Sequence, residues 1–396
     1  MPANLKNAFL ETGWSQLSKA GNQVCGDTIL TRRIQSENRY VAVLSDGLGS
    51  GIRASVLSTM TAGMALNFTL CHEPVKRTAE TIMRTLPVDS KRNISYSTFT
   101  ILDVDCQGDM SIVEYDNPPL FLIRNLEIIF PQREDVAAEG PAGFKTMHLS
   151  QLSLKPGDRI VVVSDGVVQS GIGGAVTPFG WEIDGLTSYV QALLVKIPDI
   201  SARDLAARIV SHSHANDHLI PADDISSLVF YYREPRRLLI CSGPPYDNSR
   251  DAYLASRVDS FAGRKIICGG TTAQILAREL NRLIDVDLTA PMFGVPPESR
   301  MDGIDMITEG ILTLGKLAET LATGDFDSLS TESPIARIIS LVMDSDIIEL
   351  LTGTRINQAH QDPALPMELE IRRNVVKRIA RILEEKYMKE VKVSYI

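Results

Sequence analysis

Aspartates stand at four places in this chain where an apolar stretch or a glycine turn begins or ends: Asp27, Asp46, Asp165 and the pair Asp223-Asp224. Ends of strands can converge on one edge of a sheet, so we expect these carboxylates to lie close together. Clustered carboxylates repel one another and are costly to bury unless a hard cation lies among them. The pattern therefore predicts a magnesium or manganese site.

Two hard cations about 4 Å apart, bridged by a carboxylate and a water, form a general site for phosphoryl hydrolysis, because the metals lower the pKa of the water that attacks the phosphorus. Asp46 is the natural bridging ligand, since the glycine turn after it lets backbone approach closely. Gly47 can offer its carbonyl oxygen to one metal, and Asp165 and Asp223 complete the ligand shells. No protein nucleophile is required.

Simpler interpretations apply to each motif alone. An Asp-Gly pair after a strand is most often only a turn, and it is the four motifs together that favour a metal site. The i, i+4 pair His214 and His218, with His212 nearby, resembles a ligand cluster, but a solvated helix end is the preferred interpretation. Cys25, beside Asp27, is interpreted as a packed small side chain rather than a redox group.

The elements that must position these aspartates alternate between apolar strands and helices. We predict strands at 41–45, 160–164 and 225–232 and helices at 53–70 and 75–86. We also predict a three-strand meander over 97–124 and a helix that begins at the Ser201/Asp204 capping box and continues to about residue 210. Strands, then helices, then strands again indicate an α+β sandwich.

The rhythm changes after a charged, proline-containing segment at 232–237, which predicts two domains, residues 1–235 and 236–396. The second shows strand, loop and helix in alternation, the pattern of a smaller α/β domain with a parallel sheet. Ligands bind such sheets at the carboxyl ends of the strands. There the candidate residues for a phosphate, carboxylate or nucleotide are Ser242, Gly269, Gly270, Thr271, Thr272, Thr308 and Glu309. Ordinary tight connections are the alternative.

Composition narrows the class of protein. A net charge of −9 argues against broad nucleic-acid binding, and 44% hydrophobic with 22% charged residues is typical of a soluble globular protein. The five cysteines are widely spaced and contain no CxxC pair, which favours a reducing cytoplasm over a disulfide framework or a zinc site. We identify neither a signal peptide nor an apolar run of membrane-spanning length.

Four segments, in order, carry a resemblance to a known family: Cys25-Gly26-Asp27, Asp46-Gly47-Leu48-Gly49-Ser50-Gly51, Ser164-Asp165-Gly166 and Asp223-Asp224-Ile225-Ser226. Over residues 8–232 the chain resembles the metal-dependent protein phosphatase (PPM) family, and within it the bacterial branch typified by the stage II sporulation protein E phosphatase. The resemblance implies an αββα sandwich and two manganese or magnesium ions. It places Asp46, Gly47, Asp165 and Asp223 as ligands, and Asp27 as a further acidic ligand or as a residue near the second metal. Asp224 is a less certain ligand, because many relatives carry Asn there.

The resemblance implies a cytoplasmic serine/threonine phosphatase in bacterial signalling, acting on a phosphorylated protein such as an anti-sigma-factor antagonist. Two alternatives keep the same fold: a hydrolase of small phosphate esters, and a catalytically silent binding module. A hydrophobic face on the helices after Gly51 would be the place for switching and for a homodimer. The sequence does not indicate which arginine would bind the substrate phosphate; Arg32, Arg33 and Arg53 lie near these motifs.

Overall fold

The computed structural model describes residues 8–34, 36–73, 75–85, 88–89, 94–95, 97–105, 107–140, 143–174, 177–286, 298–326, 329–330, 333–355 and 365–396. Leu86, at the predicted end of the second helix, and Cys106 lie outside these residues. The chain divides into two compact units, Met1–Glu234 (unit 1) and Pro235–Ile396 (unit 2).

The strands described in unit 1 are β1 (Phe9–Leu17), β2 (Thr28–Ile34), β3 (Arg39–Gly47), β4 (Val88–Asp89), β5 (Ile94–Ser95), β6 (Ser97–Val104), β7 (Asp109–Tyr115), β8 (Phe121–Arg124), β9 (Glu127–Ile129), β10 (Glu134–Gly140), β11 (Gly143–Ser153), β12 (Arg159–Val163) and β13 (Ile225–Arg233). Its helices are α1 (Ile52–Leu70), α2 (Val75–Thr85), α3 (Asp165–Val168), α4 (Glu182–Lys196) and α5 (Ala202–Asn216). The predicted capping box forms, since the Ser201 hydroxyl accepts a hydrogen bond from the Asp204 N–H at 3.0 Å.

Two antiparallel sheets form the centre of unit 1, with strand orders β1-β13-β12-β8-β9 and β10-β11-β7-β6-β3-β2. Alternate residues of β3 show how the layers pack: Ala42 and Leu44 enter the core between the sheets, whereas Val41 and Val43 pack against α1 and α2. On the other sheet, Val161 of β12 packs against α4 and α5. The layers are therefore helix, sheet, sheet, helix, which confirms the predicted αββα sandwich.

One predicted arrangement in unit 1 is wrong. The three strands over 97–124 were expected to form one meander, but only β6 and β7 pair with each other. β8 pairs with β12 and β9 in the other sheet. The turn at Asp116 and Asn117, where Asp116 adopts a positive φ of 57°, thus connects the two sheets rather than two neighbouring strands.

The elements described in unit 2 are β14 (Arg237–Ser242), a 3₁₀ turn (Asn248–Arg250), α6 (Asp251–Asp259), β15 (Arg264–Cys268), α7 (Gly270–Leu280), β16 (Asp285–Val286), β17 (Ser299–Met301), β18 (Ile304–Thr308), α8 (Ile311–Thr323), α9 (Pro334–Met343), β19 (Ile347–Thr352), α10 (Leu365–Glu385) and β20 (Glu390–Tyr395). They form one sheet in the order β16-β17-β18-β15-β14-β19-β20.

The pairs from β18 to β20 are parallel, as predicted for an α/β domain. The sheet as a whole is mixed, because β16 and β17 add an antiparallel edge beside β18. Helices cover both faces: α6 and α7 pack on one, and α8, α9 and α10 on the other. Among the parallel strands the order reverses between β14 and β19, the first strand of the unit and the fourth of its parallel strands. Such a reversal is the switch point at which doubly wound sheets bind ligands.

Candidate functional site

The predicted aspartates of unit 1 come from both sheets and meet at one end of the sandwich. Asp46 is the penultimate residue of β3, at the end that leads to α1, and Asp27 directly precedes β2. The antiparallel register pairs Thr28 with Ser45, so the next pair along places Asp27 opposite Asp46. Asp165 follows β12, and Asp223 and Asp224 precede β13 in the other sheet. The expectation of a single sheet edge is corrected: two sheets supply the carboxylates.

A hydrogen bond between the sheets fixes Asp27. Its Oδ2 accepts a bond from the Ser226 hydroxyl at 2.6 Å, and Ser226 lies on β13. Gln16, on β1, donates to the Ser226 hydroxyl at 3.0 Å and to the Asp27 carbonyl at 3.3 Å. The Asp27 side chain is only 4% exposed, and its Oδ1 has no hydrogen-bond partner among the described residues. That buried, unpartnered carboxylate oxygen is available to a cation.

Asp46 interacts electrostatically with three of the other carboxylates, those of Asp27, Asp165 and Asp223. Burial, together with the negative charges of Asp27, Asp165 and Asp223, raises the pKa of Asp46 to about 10. Burial is also the main cause that raises the pKa of Asp27, to about 7, and of Asp223. A raised carboxyl pKa means that the ionised form is disfavoured without a counter-charge. A divalent cation among these groups would supply that charge.

Asp224 is packed deeply between two glycines. Its Oδ1 accepts the backbone N–H of Lys19 at 3.0 Å, while its Oδ2 is buried without a partner among the described residues. A Cβ on Gly26 would lie 2.6 Å from that Oδ2, and a Cβ on Gly166 would lie 2.2 Å from the Asp224 carbonyl oxygen. Any side chain at either glycine would displace Asp224, which explains why Gly accompanies Asp27 and Asp165 in these motifs.

The site contains a basic group that the sequence analysis missed. The Lys19 ammonium lies 4.0 Å from Asp223 Oδ1, and both side chains are more than a third exposed. The signal lies in the pairing of β1 with β13: Leu17 pairs with Ile225, so continuing the same register brings Lys19 opposite Asp223. Arg32 and Arg33 pair with Val41 and Tyr40, toward the other end of β3 from Asp46.

The donor set suits a hard cation, since it consists of carboxylate oxygens with unpartnered atoms among them. Within the described residues, however, no group of three or more His, Cys, Asp or Glu side chains is arranged so that it could hold a metal ion as it stands. Cation binding would therefore require a rearrangement of these side chains. The ligand roles of Asp27, Asp46, Gly47, Asp165, Asp223 and Asp224 stay predictions.

Two further predictions concern Cys25, which is beside this cluster, and His212, which is apart from it. Burial, with the charge of Asp27, raises the pKa of the Cys25 thiol to about 12, so it is not a reactive thiolate. His212 packs against the rings of Trp181 and Tyr189, as a structural side chain does.

A cavity of ≈ 310 Å³, lined in part by Arg159, lies at the start of β12, at the other end of that strand from Asp165.

The residues predicted for a ligand in unit 2 come together at the carboxyl ends of β14, β15 and β18. Ser242 pairs with Cys268, and Cys268 pairs with Thr308. The turn at Gly269 and Gly270 begins α7, and Gly310, which follows Glu309, is the N-cap of α8. The two turns touch: a Cβ on Gly310 would lie 3.6 Å from the Gly269 Cα. Their role in ligand binding stays a prediction.

None of the helices in the described ranges combines the length and the apolar character needed to cross a bilayer. α1 presents an exposed apolar stripe formed by Ile52, Val56 and Met60, at i, i+4 and i+8. A homodimer through the helices after Gly51 stays a prediction.

Comparison with known proteins places this architecture in a family. The model of the family described as stage II sporulation protein E (SpoIIE) matches residues 36–233, half of the chain. Stage II sporulation protein E of Bacillus subtilis (strain 168) is 26% identical over 165 residues, which are 41% of this chain and 20% of that relative. The chain thus spans about a fifth of the curated relative's length.

Two solved structures are similar to this chain. The PP2C phosphatase domain of SpoIIE from Bacillus subtilis, with a fragment of its regulatory domain, is 19% identical with a TM-score of 0.48, over 58% of this chain and 65% of that one. The SiaA-PP2C domain of Pseudomonas aeruginosa is 15% identical with a TM-score of 0.40, over 57% of this chain and 84% of that one. Because the family model matches half of the sequence, this chain belongs to the stage II sporulation protein E family.

Proposed function

We propose that unit 1 is a metal-dependent protein serine/threonine phosphatase. The observation that carries the proposal is the convergence of carboxylates from both sheets on Asp46, whose pKa is raised to about 10. Family membership supports the same reaction. An all-oxygen cluster with unpaired negative charge suits magnesium or manganese, and hydrolysis of a phosphate ester is a reaction for which paired ions of this kind are used.

In this proposal Asp46 would be shared by two ions, with Asp27, Asp165, Asp223 and the Gly47 carbonyl completing their shells. Bound ions would supply the acidity needed to ionise a water and would polarise the phosphate. Ser226 and Gln16 hold Asp27 in place through the hydrogen bonds described above. Gln169 does the same for Asp165, donating to its Oδ2 at 3.0 Å.

Lys19 is the residue we assign to the substrate phosphate. Its ammonium is at the rim of the carboxylate cluster and more than a third exposed, so a phosphate entering from solvent can reach it. A phosphoserine or phosphothreonine in a signalling protein, such as an anti-sigma-factor antagonist, is the substrate class we propose. Asp224 would act by position, because it accepts the Lys19 backbone N–H.

The deciding experiment is hydrolysis of a phosphoserine peptide by the full chain with manganese, with magnesium and with EDTA. We expect turnover that needs the metal and that Asp46→Asn reduces at least a thousandfold. The matched control is Asp105→Asn, a turn residue whose Oδ1 accepts two backbone N–H groups that Asn can still satisfy. It should retain wild-type turnover.

Other outcomes separate the alternatives. Saturable turnover of p-nitrophenyl phosphate at low concentration, with no preference for the phosphopeptide, would indicate a small-ester hydrolase on the same carboxylates. Absence of turnover with either metal, in protein that still binds manganese, would contradict the enzyme and indicate a silent binding module.

A further inference from the structure

We propose that the N-terminus of α7 in unit 2 binds the phosphate group of a small phosphorylated ligand. The site is formed by Gly269, Gly270, Thr271 and Thr272, at the carboxyl end of β15 and one strand from the switch point between β14 and β19. This inference is independent of the phosphatase activity proposed for unit 1.

The backbone N–H groups at the start of α7 have no acceptor among the described residues. The N-cap of α7 is Gly269, which has no side chain, and no described residue accepts a hydrogen bond from the backbone N–H groups of Gly270, Thr271 or Thr272. Unsatisfied N–H groups and the helix dipole together favour an anion at such an end. Gly270 and Thr271 are exposed, so a ligand can approach from solvent.

The buried hydroxyl of Thr272 points to a ligand independently of the helix end. Thr272 is only 1% exposed, and its hydroxyl has no hydrogen-bond partner among the described residues. That hydroxyl lies 3.5 Å from the position a Cβ on Gly269 would occupy, so it faces the N-cap of its own helix. Leaving a buried hydroxyl unpaired costs free energy. A ligand oxygen seated on the first turn of α7 would satisfy it together with the N–H groups.

The neighbouring helix shows the contrast. At the N-terminus of α8, the Glu309 carboxylate accepts the N–H of Leu312 at 3.2 Å, so the chain supplies its own anion there. Glu309 is therefore a cap of α8, and we do not include it in the phosphate site proposed here. The adjacent end of α7, whose turn touches that of α8 at Gly310, is left for an anion from solution.

The shape of the turn selects a phosphate over a carboxylate. The first turn of α7 offers three backbone N–H groups and one hydroxyl, and a phosphate presents three oxygens to these donors where a carboxylate presents two. A Cβ on Gly270 would meet no atom within 4 Å, so the space above the helix end is open. On the far side of β14, Arg372 donates to the Gly353 carbonyl at 3.5 Å and brings a positive charge to the switch point.

The test is titration of the full chain with inorganic phosphate, followed through the backbone amide signals of Gly270 and Thr271 by NMR. EDTA and constant ionic strength keep unit 1 free of metal and exclude a general salt effect. We expect saturable shifts. Adenosine monophosphate as a second probe distinguishes the source: tighter binding indicates a phosphate ester, and equal or weaker binding indicates free phosphate.

Two variants and a control make the test specific. Thr272→Val removes only the unpaired hydroxyl, so we expect an unfolding midpoint equal to or above that of the wild type and phosphate binding at least tenfold weaker. Gly270→Asp places a carboxylate at the helix end, as Glu309 does for α8, and should raise the midpoint and abolish binding. Thr320→Val is the control, because that hydroxyl bonds within α8 to the Lys316 carbonyl.

Unchanged phosphate affinity in Thr272→Val, or in Gly270→Asp, would overturn the proposal, and so would the absence of saturable shifts in the wild type with both probes. Since the titration contains no metal and measures no turnover, its failure leaves the phosphatase proposal untouched. Failure of the phosphopeptide assay, in turn, does not affect this titration.

Discussion

Asp46 lies where the negative charges of Asp27, Asp165 and Asp223 meet, and burial together with that repulsion raises its pKa to about 10. Such a residue is expected to stabilise the protein less than its replacement would, because active sites retain unfavourable charge for the sake of function. Without metal the cluster lowers the free energy of unfolding, and with metal it is a binding site.

We therefore predict that Asp46→Asn stabilises the metal-free protein. With a pKa of about 10 in the folded protein, Asp46 must take up a proton to fold at neutral pH, and Asn avoids that cost. The substitution should therefore raise the free energy of unfolding of unit 1 by about 1 kcal/mol, or roughly 2–4 °C in Tm. Manganese should raise the Tm of the wild type and leave the variant unchanged. Thermal unfolding in EDTA and in manganese measures both effects. A variant less stable than the wild type in EDTA would contradict the electrostatic account.

Lys19 is the residue-scale test of substrate binding. Replacing it with Gln keeps a polar, slightly shorter side chain but removes the charge. We expect KM for a phosphoserine peptide to rise roughly 2- to 5-fold, as for a partly exposed ion pair. The value of kcat should change less. Lys19→Arg should restore most of the affinity. An equal loss of kcat in both variants would indicate that the side chain only supports the fold around Asp223.

At the scale of elements, some parts were predictable and others were not. β13 is buried at all nine positions, and it was predicted as an apolar strand over 225–232. β1 escaped prediction because its residues FLETGWSQL are only partly buried and show no clear alternation. The meander over 97–124 was wrong because no local signal tells which of two sheets a strand joins.

The same limits apply to the site. The four aspartate motifs were visible because each adjoins a glycine or an apolar strand, and the family resemblance that they carried is confirmed. Lys19 was not visible, since its contact with Asp223 depends on the pairing of β1 with β13 across more than two hundred residues. The reversal of strand order in unit 2 likewise depends on topology, which the alternation of strands and helices leaves undetermined.

The close approach of α3 to the start of β13 gives a prediction about elements. A Cβ on Gly166 would lie 2.2 Å from the Asp224 carbonyl oxygen, a backbone atom that cannot move without moving β13. We expect Gly166→Ala to destabilise unit 1 by roughly 1–3 kcal/mol. Gly63→Ala is the matched control: Gly63 is inside α1 with no atom within 4 Å of its Cβ position, so it should stabilise by roughly 0.5–1 kcal/mol. Urea unfolding of both variants measures the difference, and equal effects would contradict the packing argument.

At the scale of the whole molecule, each unit has its own apolar cores. Leu44, Leu102 and Phe230 belong to the core between the sheets of unit 1, whereas Ile240, Leu317 and Ile379 belong to a core of unit 2. A chain segment with its own core can fold by itself when its boundary cuts few contacts. The boundary between Glu234 and Pro235 falls one residue after the end of β13 and two residues before β14.

We therefore predict that residues 1–234 and 235–396, produced separately, both fold. The first fragment should retain stabilisation by manganese and turnover of the phosphopeptide, because every residue proposed for that site precedes residue 235. The second should retain the phosphate titration of Gly270 and Thr271. Cooperative thermal unfolding and these two assays are the measurements. If the first fragment folded and bound manganese but lost turnover, the site would need unit 2 for catalysis, and the phosphate site on α7 would then be the first place to look for its control.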